Sequence, residues 1–265
     1  MAGGDDGDDG PGVYSDDFIA NLELLWGEGF LSPGGAEEIA ELFRGADLTG
    51  ARVLNFGSGL GAMDRLLARD HGAARVLGID IEAQLVERAS AAARREGLAD
   101  RVAFQLVTPG PLPFAEAAFD VVTSKDAIIY LEDKRAIYAE LLRVLRPGGR
   151  LMVSDWFGGA PPYSEETRAW IDASPGHYFL ETIESVARMA ESLGFVDIET
   201  RDRNAWYRDM IRDEWAGLTG PKRARLLELV GEKAAAAFLE RTRNRMAAVE
   251  TGDLRPGHLR ARKPG

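Results

Sequence analysis

The feature that most constrains the fold is an alternation. Five short runs of aliphatic and β-branched residues, at about 52–56, 75–79, 102–107, 119–124 and 150–155, are separated by segments of helical period. Strands that alternate with helices pair in parallel, because each helix serves as the crossover that returns the chain to the same end of the sheet. Two short helices, at 16–26 and about 36–43, precede the first strand. A helix at 182–193, a strand at 195–200, a long helical section at about 204–248 and a strand near 258–262 follow the fifth. The expectation is an α/β, Rossmann-like fold: a mostly parallel seven-stranded sheet with helices on both faces and a helical lid. The expected boundaries are an acidic disordered tail at 1–12, lid helices at 13–46, a ligand-binding core at 47–202, and a helical insertion with the last strand at 203–265. RPGG at 146–149 is expected to close the helix 134–145, with glycine taking a left-handed cap and proline stopping the helix. The segment 158–180 reads as a proline-containing connection.

Charge narrows the partners. With a formal net charge of -11, the 265-residue chain repels phosphate backbones, so nucleic acid is not an expected partner. The basic end HLRARKPG reads as a chain end or a final edge strand. No apolar run long enough to span a bilayer occurs, the first residues lack a signal-peptide pattern, and there is no cysteine, so a cytoplasmic location is expected. His71, His177 and His258 form no ligand spacing, and no metal is expected. Trp206, Trp215 and Phe238 are read as packing residues of the helical section. Oligomeric state leaves no mark in the sequence.

VLNFGSGLGAMDRLLA, residues 53–68, places Gly57, Gly59 and Gly61 between the first strand and its helix. Glycines there permit a tight turn and close backbone approach, while the helix directs its first N–H groups at a ligand. Asp80 ends the second strand, where an acid accepts hydrogen bonds from ribose hydroxyls. The spacing is neither GxGxxG nor GxxxxGK[ST], so pyrophosphate recognition lacks support and phosphate-free S-adenosylmethionine is the better match.

The succession VLNFGSGLG, GIDIE, FDVVTSKDAIIYLED and LRPGGRLMVSD resembles class I S-adenosylmethionine-dependent methyltransferases. With YSDDF, WGEGFLSPGG and SKDAIIY the chain is most similar to the phosphoethanolamine N-methyltransferases. The resemblance implies a cofactor site of Asn55, Gly57, Ser58, Gly59, Asp80, Ile81, Thr108 and Ser124. Asn55 replaces the family's acid at the end of the first strand, and Thr108 replaces an acid expected near the adenine amino group. The resemblance also implies Tyr14, Asp126 and Tyr130 as catalytic residues: a lid tyrosine over the acceptor amine, an aspartate contacting that amine, and a tyrosine where the family has the lid tyrosine's histidine partner. Substrate contacts fall to Trp156, His177 and Tyr178; Trp156 takes a tyrosine's place, and SPGH the place of a phosphate-binding arginine.

These substitutions point to a small-molecule amine other than phosphoethanolamine, in secondary metabolism. Because a sulfonium already carries a good leaving group, alignment and water exclusion dominate, and a base such as Asp126 is secondary. Three alternatives stay open: O-methylation; cyclisation of S-adenosylmethionine itself with release of methylthioadenosine, motivated by Asn55; and a non-catalytic binding module.

Overall fold

The computed structural model describes residues 14–174 and 176–265. The acidic stretch 1–12, expected to be a disordered tail, lies outside the described residues. Two helices open the chain, α1 (Asp16–Trp26), whose first turn is capped by the Ser15 hydroxyl, and α2 (Gly35–Leu42). The alternation then runs β1 (Arg52–Phe56), α3 (Ala62–Arg69), β2 (Arg75–Asp80), α4 (Ala83–Arg95), β3 (Val102–Leu106), β4 (Phe119–Lys125), a 3-10 turn (Ile128–Tyr130), α5 (Lys134–Val144) and β5 (Leu145–Gly158). After it come α6 (Glu165–Asp172), α7 (Ile183–Leu193), β6 (Val196–Asp202), α8 (Asn204–Thr219), α9 (Arg223–Thr251) and β7 (Leu254–Arg262).

The seven strands form one sheet in the order β3-β2-β1-β4-β5-β7-β6, with β7 antiparallel to both its neighbours and the other pairs parallel. Alternation along the strands divides the core between two faces. Leu54, Val122, Leu151 and Val153 pack with Tyr138 and Leu141 of α5 and Val186 of α7. Their neighbours Val53, Val121 and Met152 pack on the opposite face with Ile39 and Leu42 of α2, Leu67 of α3 and Ala93 of α4. Near-continuous apolar strands are what a sheet covered on both sides requires.

Three sequence expectations are corrected. The last strand is no edge: β7 lies between β5 and β6, and its His258 is buried. RPGG does not supply a left-handed helix cap, since Leu145 is already extended and pairs with Phe119. Pro147 disfavours helical backbone at Arg146, so the chain bulges through 146–149 before Arg150 pairs with Val121. The left-handed glycine is Gly148, inside that bulge. The connection 158–180 contains α6, whose Ser164 cap is itself held by Asp253.

Helices α6, α8 and α9 are extensions of the core. Ile129, Trp170, Tyr207, Ile211, Val249 and Leu254 form one cluster across the 3-10 turn, α6, α8, α9 and β7. A second cluster, Leu22, Leu218, Leu226, Ala235 and Phe238, joins α1 to α8 and α9. Trp206 and Phe238 thus pack as expected of structural residues. Helix α9 breaks at Gly231, where a positive φ of 75° departs from the helical region.

Candidate active site

The parallel strands direct their carboxyl ends to one edge of the sheet, and the loops after β1, β2 and β4 meet there. After β1, the N–H groups of Gly57 and Ser58 both donate to the Ile79 carbonyl at 2.9 Å, which folds the chain sharply back. Gly57 has φ 74°, and a Cβ there would lie 2.2 Å from that of Ala127. The loop after β4 therefore rests directly on the glycine turn, and only glycine permits it.

The turn is locked to the end of β2. Gly59 N–H donates to Asp80 Oδ2 at 2.8 Å, and Glu82 N–H to Oδ1 at 3.1 Å. These bonds orient the carboxylate and leave lone pairs free for a ligand's hydroxyls. Burial raises the Asp80 pKa, with the Gly59, Glu82 and Ile81 N–H groups opposing that rise. Next to it Ile81 is 59% exposed, and Leu106, paired with Asp80 across the sheet, is 50% exposed. Two large apolar side chains left in solvent beside Asp80 make a flat apolar surface at the end of β2 and β3. Thr108 follows them, also exposed. Leu106 was not foreseen from the sequence, where it reads as one more core residue of a strand.

Asn55 is buried, and its Nδ2 donates to Asp64 Oδ2 at 2.8 Å. Asp64, on the first turn of α3, is wholly buried, and burial pushes its pKa up to about 7 against the opposing hydrogen bond from Asn55. Asn55 Oδ1, Asp64 Oδ1 and the buried Ser58 hydroxyl have no hydrogen-bond partner among the described residues. Orphaned buried acceptors at a glycine turn are the sign of a site meant to be completed by a ligand. The sequence did hold a signal for Asp64: its spacing to Leu67 and Ala68 puts it on the buried face of α3. Ser124, by contrast, is buried with its hydroxyl donating to the Phe56 carbonyl at 2.9 Å, and so fastens β4 to β1.

The loop after β4 carries Asp126, held in a left-handed conformation (φ 55°) with its N–H donating to the Ser154 carbonyl. Lys125 Nζ donates to Asp126 Oδ2 at 2.6 Å and to Ser32 Oγ at 2.7 Å, tying this loop to the segment between α1 and α2. The two side chains are 8% and 9% exposed. The Tyr14 hydroxyl lies next to that of Tyr130, and the Tyr130 ring stands 5.2 Å from that of Tyr178. Burial pushes the Tyr14 hydroxyl up to about 12 and Tyr130 well above its ordinary value, so both are neutral hydroxyls at neutral pH. Arg241 of α9 donates to the Tyr178 hydroxyl at 2.8 Å. Trp156 stands edge-on to Tyr207 at 4.9 Å, and Tyr178 lies 4.6 Å from Trp170, completing an aromatic wall.

The structure therefore brings Tyr14, Tyr130 and Tyr178 together and places Asp126 and Trp156 on neighbouring strand ends. His177 stands apart, exposed and resting on Phe179 at 4.5 Å. Asp155 was not foreseen: it is buried, its carboxylate accepts the Trp156 N–H at 2.8 Å, and burial together with the Asp126 charge pushes it up to about 8. Among the described residues no group of three or more His, Cys, Asp or Glu is placed to hold a metal, and no helix is long and apolar enough to cross a membrane.

A glycine turn locked to a ribose-type acid at the carboxyl edge of a sheet with an antiparallel seventh strand defines a Rossmann-like methyltransferase core. Residues 54–153 match the methyltransferase domain family. That stretch is a methyltransferase domain, and the fold around it is the Rossmann-like fold of class I methyltransferases. It is 31% identical to phosphoethanolamine N-methyltransferase 1 of Triticum aestivum over 220 residues, 83% of this chain and 43% of that relative. With erythromycin 3''-O-methyltransferase of Saccharopolyspora erythraea it shares 28% identity over 221 residues, 77% of this chain and 71% of the other. The solved Haemonchus contortus phosphoethanolamine N-methyltransferase 2, in complex with phosphomonomethylethanolamine and S-adenosylhomocysteine, superposes with a TM-score of 0.87 at 24% identity, over 96% of this chain and 59% of that one. The chain spans less than half the length of the phosphoethanolamine N-methyltransferases it matches among curated proteins.

Proposed function

We propose that the protein methylates the amine of a small molecule other than phosphoethanolamine, with S-adenosylmethionine as donor. The observation that carries this reading is Asp126: a half-buried carboxylate, held beside the Gly57 turn, that already pairs with an ammonium, that of Lys125. A carboxylate so placed binds an acceptor ammonium and takes part in freeing its lone pair, and the Tyr14–Tyr130–Tyr178 hydroxyls orient the nitrogen. The cofactor supplies an electrophilic methyl group on a good leaving group. Asp80 holds the ribose, Ile81 and Leu106 flank the adenine, and Asn55 and Ser58 offer their free oxygens to the polar end. Proximity and exclusion of water, supplied by α1 and α9 acting as a lid, account for most of the acceleration, about 7–11 kcal/mol in well-aligned systems.

A phosphate on the acceptor is disfavoured. SPGH supplies no arginine before Tyr178, and Arg245, which faces Tyr178, is paired with Glu214 at 2.9 Å. One observation favours a second reading, methylation of a hydroxyl: the Lys125 ammonium leaves Asp126 less need of a cationic substrate. The cyclisation alternative has less to motivate it, since the acid absent at Asn55 is supplied by Asp64, whose carboxyl lies 2.8 Å from the Asn55 amide.

Matched amine and alcohol acceptors, assayed with wild type, Asp126→Asn and Lys125→Met, separate the two. For an amine acceptor Asp126→Asn should cost about 10²-fold or more in kcat/KM while Lys125→Met preserves activity. Alcohols turned over faster than amines, with activity insensitive to Asp126→Asn, would overturn the N-methylation reading.

A further inference from the structure

The Asn55–Asp64 pair has a property that neither residue has alone. An ionised carboxylate only accepts hydrogen bonds, so Asp64 obliges Asn55 to turn its Nδ2 inward, and the 2.8 Å bond is that contact. Asn55 is 1% exposed and Asp64 0%, and the amide oxygen left over has no partner among the described residues. We propose that Asp64 is a positioning residue that acts through Asn55: its buried carboxylate fixes the amide with Oδ1 presented to the cofactor's amino group, restoring one residue back the charge that the first strand lacks. The proposal rests on the reading that the glycine turn holds S-adenosylmethionine.

The surroundings make the arrangement proton-sensitive. A protonated Asp64 can donate to Asn55 Oδ1, which releases the amide to rotate and present its NH2 group, a donor, to the ligand's ammonium. Binding of an ammonium at Oδ1 therefore favours the ionised carboxylate, and the two events are linked. Asp64 faces Asn55 of β1, with Arg65 of its own helix favouring its charge and Asp80 of β2 opposing it. Gly78 of β2 packs against the same carboxylate without adding charge; a Cβ there would lie 2.7 Å from Asp64 Oδ1. Its pKa, already raised by burial to about 7, lies where a modest change in environment moves the proton near neutral pH.

The test is calorimetric and needs no acceptor. S-adenosylhomocysteine, which carries the amino acid, and methylthioadenosine, which lacks it, are titrated into the full chain at pH 6 and pH 8. Linkage to one proton predicts S-adenosylhomocysteine binding about tenfold tighter at pH 8, and methylthioadenosine binding changed by less than about twofold. Any titration of Asp80 at the ribose is common to both ligands and cancels in the comparison. Asp64→Asn should retain methylthioadenosine affinity and reduce the pH effect on S-adenosylhomocysteine to that of methylthioadenosine. Equal pH dependence of the two ligands in wild type overturns the proposal, and so does an undiminished pH effect in Asp64→Asn. If that variant does not fold, the wild-type comparison decides by itself, and Asn55→Asp adds a second arm, in which two carboxylates share one proton and the pH effect moves upward. Binding of methylthioadenosine without any pH effect on S-adenosylhomocysteine refutes the role of Asp64 and spares the cofactor reading; no binding of either ligand refutes both.

Discussion

Asp80 and Gly59 share one 2.8 Å hydrogen bond, and through it a side chain and a turn 21 residues apart become a single ligand-binding surface. In the proposed function the Asp80 carboxylate is the acceptor for the two ribose hydroxyls of the cofactor. Since hydrogen bonds to charged groups contribute about 1.5–3 kcal/mol each, Asp80→Ala should weaken S-adenosylhomocysteine binding at least about tenfold to a hundredfold by calorimetry. Unchanged affinity would remove Asp80 from the site. The Tyr14 hydroxyl has Tyr130 as its nearest polar neighbour, while Tyr178, Asp80 and Glu82 act on it by charge alone. Tyr14→Phe should therefore lower turnover about tenfold or more while S-adenosylhomocysteine affinity stays within about twofold. A loss confined to cofactor affinity would place Tyr14 on the wrong ligand.

Among the helices, Glu214 is the joint on which the covering layer depends. Its Oε1 accepts the Trp26 indole N–H of α1 at 2.7 Å, and its Oε2 accepts from Arg245 of α9 at 2.9 Å. Both charged partners are buried, and Arg245 lies over the Trp26 ring at 5.2 Å. Glu214→Ala strands a buried guanidinium, so it should destabilise the protein by about 3–5 kcal/mol, whereas the paired change Glu214→Met with Arg245→Met should recover most of that loss. Denaturant unfolding of the two variants checks this; equal losses would show that the helices owe their place to packing alone. None of these long-range ties was legible in the sequence. The strands, the glycine turn and Asp80 were legible because each is written in local pattern: apolar period, turn residues, an acid at a strand end. Lys125, Asp155, Arg241 and Leu106 were missed because their roles arise from contacts between segments far apart in the chain. Helix α6 was missed because prolines on both sides of 165–172 masked its short period, and β7 was taken for an edge because insertion between β5 and β6 leaves no local mark.

For the molecule as a whole, the buried acids set a pH dependence of stability whose sign follows from their shifts. Asp64 and Asp155 are raised from the ordinary 3.8 to about 7 and about 8. Between the unfolded and folded values the native state binds more protons than the unfolded chain, so stability should be greatest near the lower end and fall as pH rises through about 7–8. Melting curves of the ligand-free protein from pH 5 to pH 9 should show this decline, and Asp155→Asn should flatten its upper part; a Tm rising with pH across that range would contradict the burial of these two groups. The same architecture packs α1, α8 and α9 together beside the 3-10 turn after β4 and the start of β7, where the proposed function needs water kept out. The most direct measurement is chromatography with mass detection of the purified protein given S-adenosylmethionine alone and then with a panel of small amines and alcohols. The expected result is S-adenosylhomocysteine formed only when an acceptor is present, in step with an amine one methyl group heavier. Methylthioadenosine formed above the spontaneous background with no acceptor, together with a cyclic amino acid in equal amount, would contradict methyl transfer as the activity of this site.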